Sequence, residues 1–261
     1  MIPMIFHFTF YRGATDWKWR DIHTLCLLTC RKFAGATKMV IHYDRDGEGP
    51  DWDAARALGG VEWRQTNFSA TINGLPVTDQ RLVHDLHRLR ILWEEGGWFS
   101  DLDFVFVKSF ELIRDAEAVI GTQCKQKSKL NCAMLGGRPG STFIKAYLDK
   151  YQEWTPDQQK KVWVYANNIP WSLSQQFPVT VLPRPAFYPV AWSNKNFWAG
   201  GRTCIKNSYA VHLWETLHPD VTVDTLRLTV LRDFVEEAST GRAAPRVRYL
   251  PGRIVSLEAF S

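Results

Sequence analysis

The residues best placed to do chemistry lie in one segment, Asp85–Phe110, which reads DLHRLRILWEEGGWFSDLDFVFVKSF. It contains Asp101-Leu102-Asp103, two carboxylates one residue apart among apolar neighbours. Hard oxygen ligands of this kind suit magnesium or manganese, ions that keep open positions for a substrate diphosphate. In a regular strand the two side chains point to opposite faces, so sharing one ion requires the chain to turn there. Taken alone, Asp-x-Asp is also a common surface turn. Asp85 and Arg88 stand three residues apart, which places acid and base together on one side of a helix. As a surface pair they would contribute only a few tenths of a kcal/mol, about 0.3.

The elements that position these residues follow from periodicity. Leu82, Leu86, Leu89 and Trp93 recur at helical spacing, so a helix capped by Thr78 or Asp79 runs to about Glu95, and Gly96-Gly97 breaks it. Upstream, residues 2–10 read as a buried strand, Asp16–Phe33 as a helix, and Lys38–Tyr43 as a second strand. A short helix from Asp51 to Leu58 and a strand at Val61–Arg64 come next. Alternating strands and helices predict an α/β fold with a mostly parallel sheet flanked by helices in a single domain, residues 1–261, and a site at the carboxyl ends of the strands. Further strands are expected at Phe104–Val107, Ala116–Thr122, Leu130–Leu135 and Tyr209–Trp214. Helices are expected at Ser141–Trp154, Pro170–Gln176 and Val223–Ala238. The aromatic, Pro- and Gly-rich run Pro183–Arg202 reads as a shaped loop, lining an acceptor groove or covering the sheet. Lys125–Lys129 is a basic loop, solvated or facing an anionic acceptor. No glycine-rich phosphate loop is present, so backbone amides alone do not hold a nucleotide.

With 261 residues, 45% hydrophobic and 23% charged, the chain has ample material for a globular core. Its net charge of +5 without a long basic run is compatible with anionic ligands. Five cysteines, an odd number without a framework, point to a reducing compartment. Cys26 and Cys30 lack partners for a zinc pattern and read as small buried hydrophobes. The opening MIPMIFHFTF is too short for a membrane span and has no basic leader. The expectation is a cytoplasmic protein of a bacterium or a virus-infected cell.

The spacing Asp85-x-x-Arg88-x-x-x-Leu92-x-x-x-Gly96-Gly97-x-Phe99-x-Asp101-x-Asp103 resembles the signature of the Asp-x-Asp sugar-nucleotide glycosyltransferases of the GT-A (Rossmann-like) fold, with Phe99 where tyrosine is usual. That group includes initiating mannosyltransferases, α-1,4-galactosyltransferases and clostridial glucosylating toxins. Ile2-Pro3-x-Ile5-x-His7-Phe8 resembles its opening strand, Asn131-Cys132-Ala133 its central Asn-x-Ala, and Phe187-Tyr188-Pro189 with Tyr209–Trp214 its closing elements. The resemblance implies a metal-dependent retaining transferase, with residues 1–110 holding the nucleotide sugar and 111–261 facing the acceptor. It implies Asp101 and Asp103 as catalytic residues, and Mn²⁺ or Mg²⁺ on Asp101, Asp103 and His212, although a lone histidine in an apolar strand is usually a core residue. It implies donor contacts from Phe8, Phe10, Asp85, Arg88, Gly97, Asp101 and Asn131. An aromatic at position 10 would stack on the nucleobase, and Asp85 with Arg88 would read sugar hydroxyls. Core packing competes with that role for Phe10, and more strongly for Phe8. His84 and His87 are expected to be solvated or packing residues.

The implied donor is a UDP- or GDP-sugar and the implied acceptor a glycan or lipid-linked sugar. A hydroxymethylated DNA base is an alternative acceptor, and a non-catalytic glycan- or nucleic-acid-binding module an alternative function. Two carboxylates kept beside a buried strand speak against a mere binding relic. After His212 the chain reads Glu215-Thr216-Leu217-His218, a departure from the relatives, which leaves His218 and Arg202 as replacement contacts to the diphosphate.

Overall fold

A computed structural model describes residues 1–241 apart from 14, 16, 70, 73–74, 125–128, 154–163, 195 and 202. Most of the basic loop at 125–129, Arg202 and the C-terminal tail therefore lie outside the described residues. The first half runs β1 (Ile5–Phe10), α1 (Asp21–Thr29), β2 (Lys38–Tyr43), α2 (Pro50–Arg56) and β3 (Val61–Gln65). A small hairpin, β4 (Thr71–Ile72) and β5 (Leu75–Pro76), precedes α3 (Gln80–Glu94), β6 (Gly97–Ser100) and β7 (Phe104–Phe106). The second half runs β8 (Ala118–Thr122), β9 (Leu130–Gly137), α4 (Thr142–Lys150), α5 (Ile169–Ser174), β10 (Thr180–Leu182) and β11 (Ala210–His212). Two short helices follow, α6 (Val223–Leu226) and α7 (Arg232–Thr240).

Seven strands form one sheet in the order β10-β8-β9-β6-β1-β2-β3. Every neighbouring pair is parallel except those of β9, which runs antiparallel to β6 and β8. The α/β fold with a mostly parallel sheet stands, and β9 is its one reversed strand. Two apolar cores cover the two faces. Phe6, Phe8, Phe10, Met39, Ile41 and Trp98 pack on the side of α1 and α7, while Leu82, Leu86, Phe99, Ile120 and Phe143 pack on the side of α3 and α4.

Local chemistry explains the elements near the site. Asp79 caps α3 by accepting the Arg81 N–H at 2.9 Å, satisfying one of the orphan donors of the first turn. The expected first helix is shorter at its N-terminus, and its last turn is a π-helix, Cys30–Ala34. The expected C-terminal helix is divided into α6 and α7.

Gly97, expected at the donor, has a different task. Its φ is +103°, and a Cβ there would lie 2.5 Å from the Ile5 carbonyl oxygen of β1. Only glycine lets β6 approach β1 in this backbone conformation. Gly97→Ala is expected to lower stability by about 1–3 kcal/mol, read from urea unfolding.

Histidines fill the α3 side of β1 and β2. His7 Nε2 faces the Gly96 carbonyl at 3.1 Å, so it carries the proton and Nδ1 accepts from His42 Nε2 at 3.1 Å. A second proton on His7 would set N–H against N–H. Burial pushes His7 down to about 4 and His42 down to about 3, and it lowers both His84 and His87 to about 4. Between these values and 6.5 the unfolded chain binds more protons than the folded one, so stability is full above pH 6.5 and falls as pH drops towards 4. Unfolding free energies at pH 7.5 and 5 should differ by roughly 1.4 kcal/mol per histidine per pH unit below 6.5. His42→Gln should flatten that slope, and an unchanged slope would assign it to other groups.

Candidate active site

Asp101 and Asp103 sit in the bend between β6 and β7, not in a regular strand, which is how both carboxylates reach one place. β7 pairs antiparallel with β11 so that His212 lies across from Phe104, one residue beyond Asp103. His212 Nε2 is 3.0 Å from Asp103 Oδ1, and one ligand atom from each of Asp101, Asp103 and His212 falls within 4.8 Å of the others. Phe104 stacks on the His212 ring at 4.5 Å and Trp214 meets it edge-on at 4.1 Å.

These residues floor a cleft of about 970 Å³ at the carboxyl end of β1, within the size range of small-molecule sites. Thr9, Tyr11, Asp85, Arg88, Asn131 and Trp214 are also among its lining residues. Phe8 and Phe10 are not. Both are fully buried, and Phe10 packs on Trp17, Trp19 and Trp52. Alternation along β1 turns them to the α1 layer and brings Thr9 and Tyr11 to the cleft instead. That parity corrects the expected stacking role of both phenylalanines.

Asp85 and Arg88 form no surface pair; they are 7% and 4% exposed. Asp85 accepts from Tyr151 Oη at 2.9 Å and Cys132 Sγ at 3.5 Å, and lies 3.4 Å from Arg88 Nη1. Arg88 Nη2 donates to Asp101 Oδ1, and its guanidinium lies over the Phe99 ring at 4.6 Å. Both residues line the cleft, yet the Asp85 carboxylate and the two terminal nitrogens of Arg88 face protein groups, while Arg88 Nε is buried without a partner among the described residues. Their evident task is to hold Asp101, which narrows the diol-reading role expected of them.

Burial raises the Asp85 carboxyl, against the pull of Arg88. Burial, with Asp103 adding to it, also raises Asp101 to about 6, while Arg88 pulls it down. The Asp101 side chain is 37% exposed to the cleft, where water screens that shift. For Asp103 burial acts upward too, but His212 and the Glu215 backbone N–H, 2.9 Å from Oδ2, hold it below the usual carboxylate range.

Trp214 holds a left-handed φ of 58°, rare for a bulky residue, and its Nε1 donates to the Val190 carbonyl at 3.0 Å. The next residue, Glu215, turns its N–H onto Asp103 and is itself gripped by Arg20 at 2.9 Å and His23 at 2.8 Å. The backbone of Glu215 therefore braces the metal-ligand candidate Asp103. His218 is 8% exposed and bonded to the Trp192 carbonyl at 2.9 Å, outside the cleft lining; it is a packing residue, not a phosphate contact. Asn131 lines the cleft but uses Oδ1 to accept the Ala133 N–H at 2.8 Å, and the Ala133 carbonyl accepts the Asp101 N–H at 2.9 Å. The Asn-x-Ala segment thus steers the Asp101 backbone.

The donor set fits a hard divalent ion. Two ligands about 2.1 Å from such an ion, at right angles, stand roughly 3 Å apart, which matches the His212–Asp103 contact of 3.0 Å. Three carboxylates against one guanidinium leave excess negative charge to be balanced there. His212 Nδ1 is buried without a partner among the described residues, so its ring is oriented by stacking on Phe104 and not by an outer hydrogen bond.

Sequence reasoning missed Thr9, Tyr11, Tyr151 and Glu215. The alternation of Phe6, Phe8 and Phe10 with His7, Thr9 and Tyr11 was the available signal for the first two.

A family profile described as "Alpha 1,4-glycosyltransferase conserved region" matches residues 164–236, which include His212, Trp214 and Glu215. Lactosylceramide 4-alpha-galactosyltransferase of Pan troglodytes is 28% identical over 151 residues, 51% of this chain and 41% of that protein. The Homo sapiens protein of the same name is 27% identical over the same shares. The chain thus spans about two fifths of the length of these relatives. Among solved structures, the PaToxG glycosyltransferase superposes with a TM-score of 0.51 at 14% identity, covering 67% of this chain and 69% of that one.

Removing one partner of a buried pair leaves the other charge uncompensated. Asp85→Ala should therefore cost roughly 3 kcal/mol in urea unfolding. A loss under about 1 kcal/mol, the level of an exposed pair, would return Asp85 to a solvated role. In sequence the chain is thus similar to the α-1,4-glycosyltransferases over part of its length, and its fold is the GT-A glycosyltransferase fold.

Proposed function

We propose that this protein is a metal-dependent retaining glycosyltransferase that moves a sugar from a nucleoside diphosphate to an acceptor hydroxyl. The convergence of Asp101, Asp103 and His212 on the floor of the cleft carries the reading. Asp101, Asp103 and His212 would hold manganese or magnesium there, and such an ion would supply Lewis-acid charge to a departing diphosphate.

The chain's own groups set that floor. Arg88 keeps Asp101 oriented, and the Glu215 N–H favours the ionised form of Asp103. Transfer breaks the bond from the anomeric carbon to the diphosphate oxygen and forms one to the acceptor oxygen, whose proton leaves with the diphosphate. The four carboxylates lining the cleft are Asp85, Asp101, Asp103 and Glu215. Asp85 and Glu215 are held by hydrogen bonds from neighbouring side chains, and the other two belong to the metal group. None among the described residues is free to act as an enzyme nucleophile, so the retention implied by the family resemblance is assigned to attack by the acceptor on the same face as departure. Tyr11, stacked on Phe68 at 4.8 Å and lining the cleft, takes the nucleobase role that Phe10 cannot fill.

The names of the relatives make UDP-galactose the first donor to test and a glycan or glycolipid the first acceptor, with GDP-sugars next. No described helix is long and apolar enough to cross a membrane.

Released UDP should require manganese, stop with EDTA and return on adding metal. Asp103→Asn should reduce turnover at least about 100-fold while the melting temperature changes little, because it removes charge and not volume. Asp101→Asn should act in the same direction. Turnover that survives EDTA, or an active Asp103→Asn, would end the metal assignment.

A further inference from the structure

Among the described residues four carboxamides line the cleft, and all but Gln80, namely Gln123, Asn131 and Asn167, are hydrogen-bonded together. Their orientations are set from the backbone outward. Asn131 Oδ1 accepts the Ala133 N–H at 2.8 Å, so its other end is the donor, and Nδ2 reaches Gln123 Oε1 at 3.2 Å. Asn167 Nδ2 donates to the Leu130 carbonyl at 2.7 Å and to the same Gln123 Oε1 at 2.8 Å. Gln123 is further fixed through its backbone, which donates to the Lys129 carbonyl at 2.9 Å, just past the irregularity at Ile120/Gly121 in the β8–β9 ladder.

The oxygen of Gln123 thus takes two N–H groups whose own directions are decided by a backbone donor and a backbone acceptor. Turned over, its amide would set N–H against N–H at both contacts. Only one orientation is compatible, and it leaves Gln123 Nε2 with no protein partner among the described residues. The charged pair Asp85–Arg88 on the same cleft is engaged internally. Gln123 therefore presents a hydrogen-bond donor to the cleft on a side chain whose orientation is fixed.

We propose that Gln123 reads a hydroxyl of the donor sugar. Its Nε2 donates to the hydroxyl oxygen, and Asn131 and Asn167 are positioning residues that fix which end of the amide is presented. The inference rests on the nucleotide-sugar reading of the cleft. A fixed N–H donor distinguishes sugars by where an acceptor oxygen stands, so Gln123 bears on donor choice and not on nucleotide affinity.

Calorimetry with manganese, UDP and UDP-galactose tests this, with GDP and GDP-mannose as a second set. In the wild type the sugar should add affinity over the bare nucleotide. Gln123→Glu keeps the size and replaces the N–H donor with an acceptor; it should remove at least about tenfold of that sugar-dependent gain and leave the nucleotide Kd within about twofold. Gln123→Met, which cannot donate, gives the same split should the carboxylate variant fail to fold. Asn167→Ala should lose part of the same gain, because the amide can then turn. In the Gln123→Glu background Asn167→Ala should add nothing, since a carboxylate has two equal ends and no orientation to fix. A full sugar-dependent gain in both Gln123 variants overturns the assignment and leaves the transferase reading standing. So does a wild type that binds nucleotide sugar no better than nucleotide. A wild type that binds neither set overturns the donor reading itself, and the role of Gln123 with it.

Discussion

Uncompensated charge in a poorly hydrated cleft floor is the constraint around which this molecule is arranged. Asp85, Arg88, Asp101 and Asp103 lie within one 19-residue stretch of the sequence, and all are placed where water cannot fully solvate them. A buried charge without partners is costly, so each must be met by hydrogen bonds or opposite charge. Tyr151 and Cys132 serve Asp85, Asp85 and Asp101 serve Arg88, and His212 with the Glu215 amide serves Asp103. The partners come from α4's end, β9, β11 and the turn after it, so satisfying four charges ties together elements from both halves of the chain.

That arrangement also separates the two carboxylates of the Asp-x-Asp pair. Asp103 is held in its ionised form by a backbone amide and an imidazole, whereas Asp101 is raised by burial and by its neighbour and drawn down mainly by Arg88. The same guanidinium is pinned by Asp85 and stacked over Phe99, so the helix α3 controls the less secure of the two ligands. The strained Trp214 belongs to the same logic. Its left-handed backbone persists because its indole is bonded to Val190, packed on His212, and followed by a residue gripped by Arg20 and His23.

The cleft has a neutral side as well as a charged one. Carboxamides meet a polar sugar without the desolvation cost of ions, and their two unlike ends make direction matter. The chain sets that direction through two backbone contacts at β9, the strand that also steers Asp101 through Ala133. One reversed strand in a parallel sheet therefore positions both the charged and the neutral sides of the site.

Much of this was legible in the linear sequence because its causes are local. Helical spacing of Leu82, Leu86 and Leu89, a cap at Asp79 and the break at Gly96-Gly97 fix α3 and its stop, and three-residue spacing puts Asp85 and Arg88 on one face. The Asp-x-Asp pair announced a cation and a turn for the same reason. What alternation could not tell was which face of β1 looks into the cleft, since that depends on which helices cover each side; Phe8 and Phe10 were misplaced there, and Thr9 and Tyr11 overlooked. Whether Asp85 and Arg88 were solvated or buried was equally a matter of what packs over them, here Tyr151, Cys132 and Phe99. His212 meets Asp103 across 109 residues, and Asn167 meets Gln123 across 44. Such contacts are set by the register of β7 on β11 and by the packing of the segment before α5 against β9, relations between distant elements that only the folded chain brings into being.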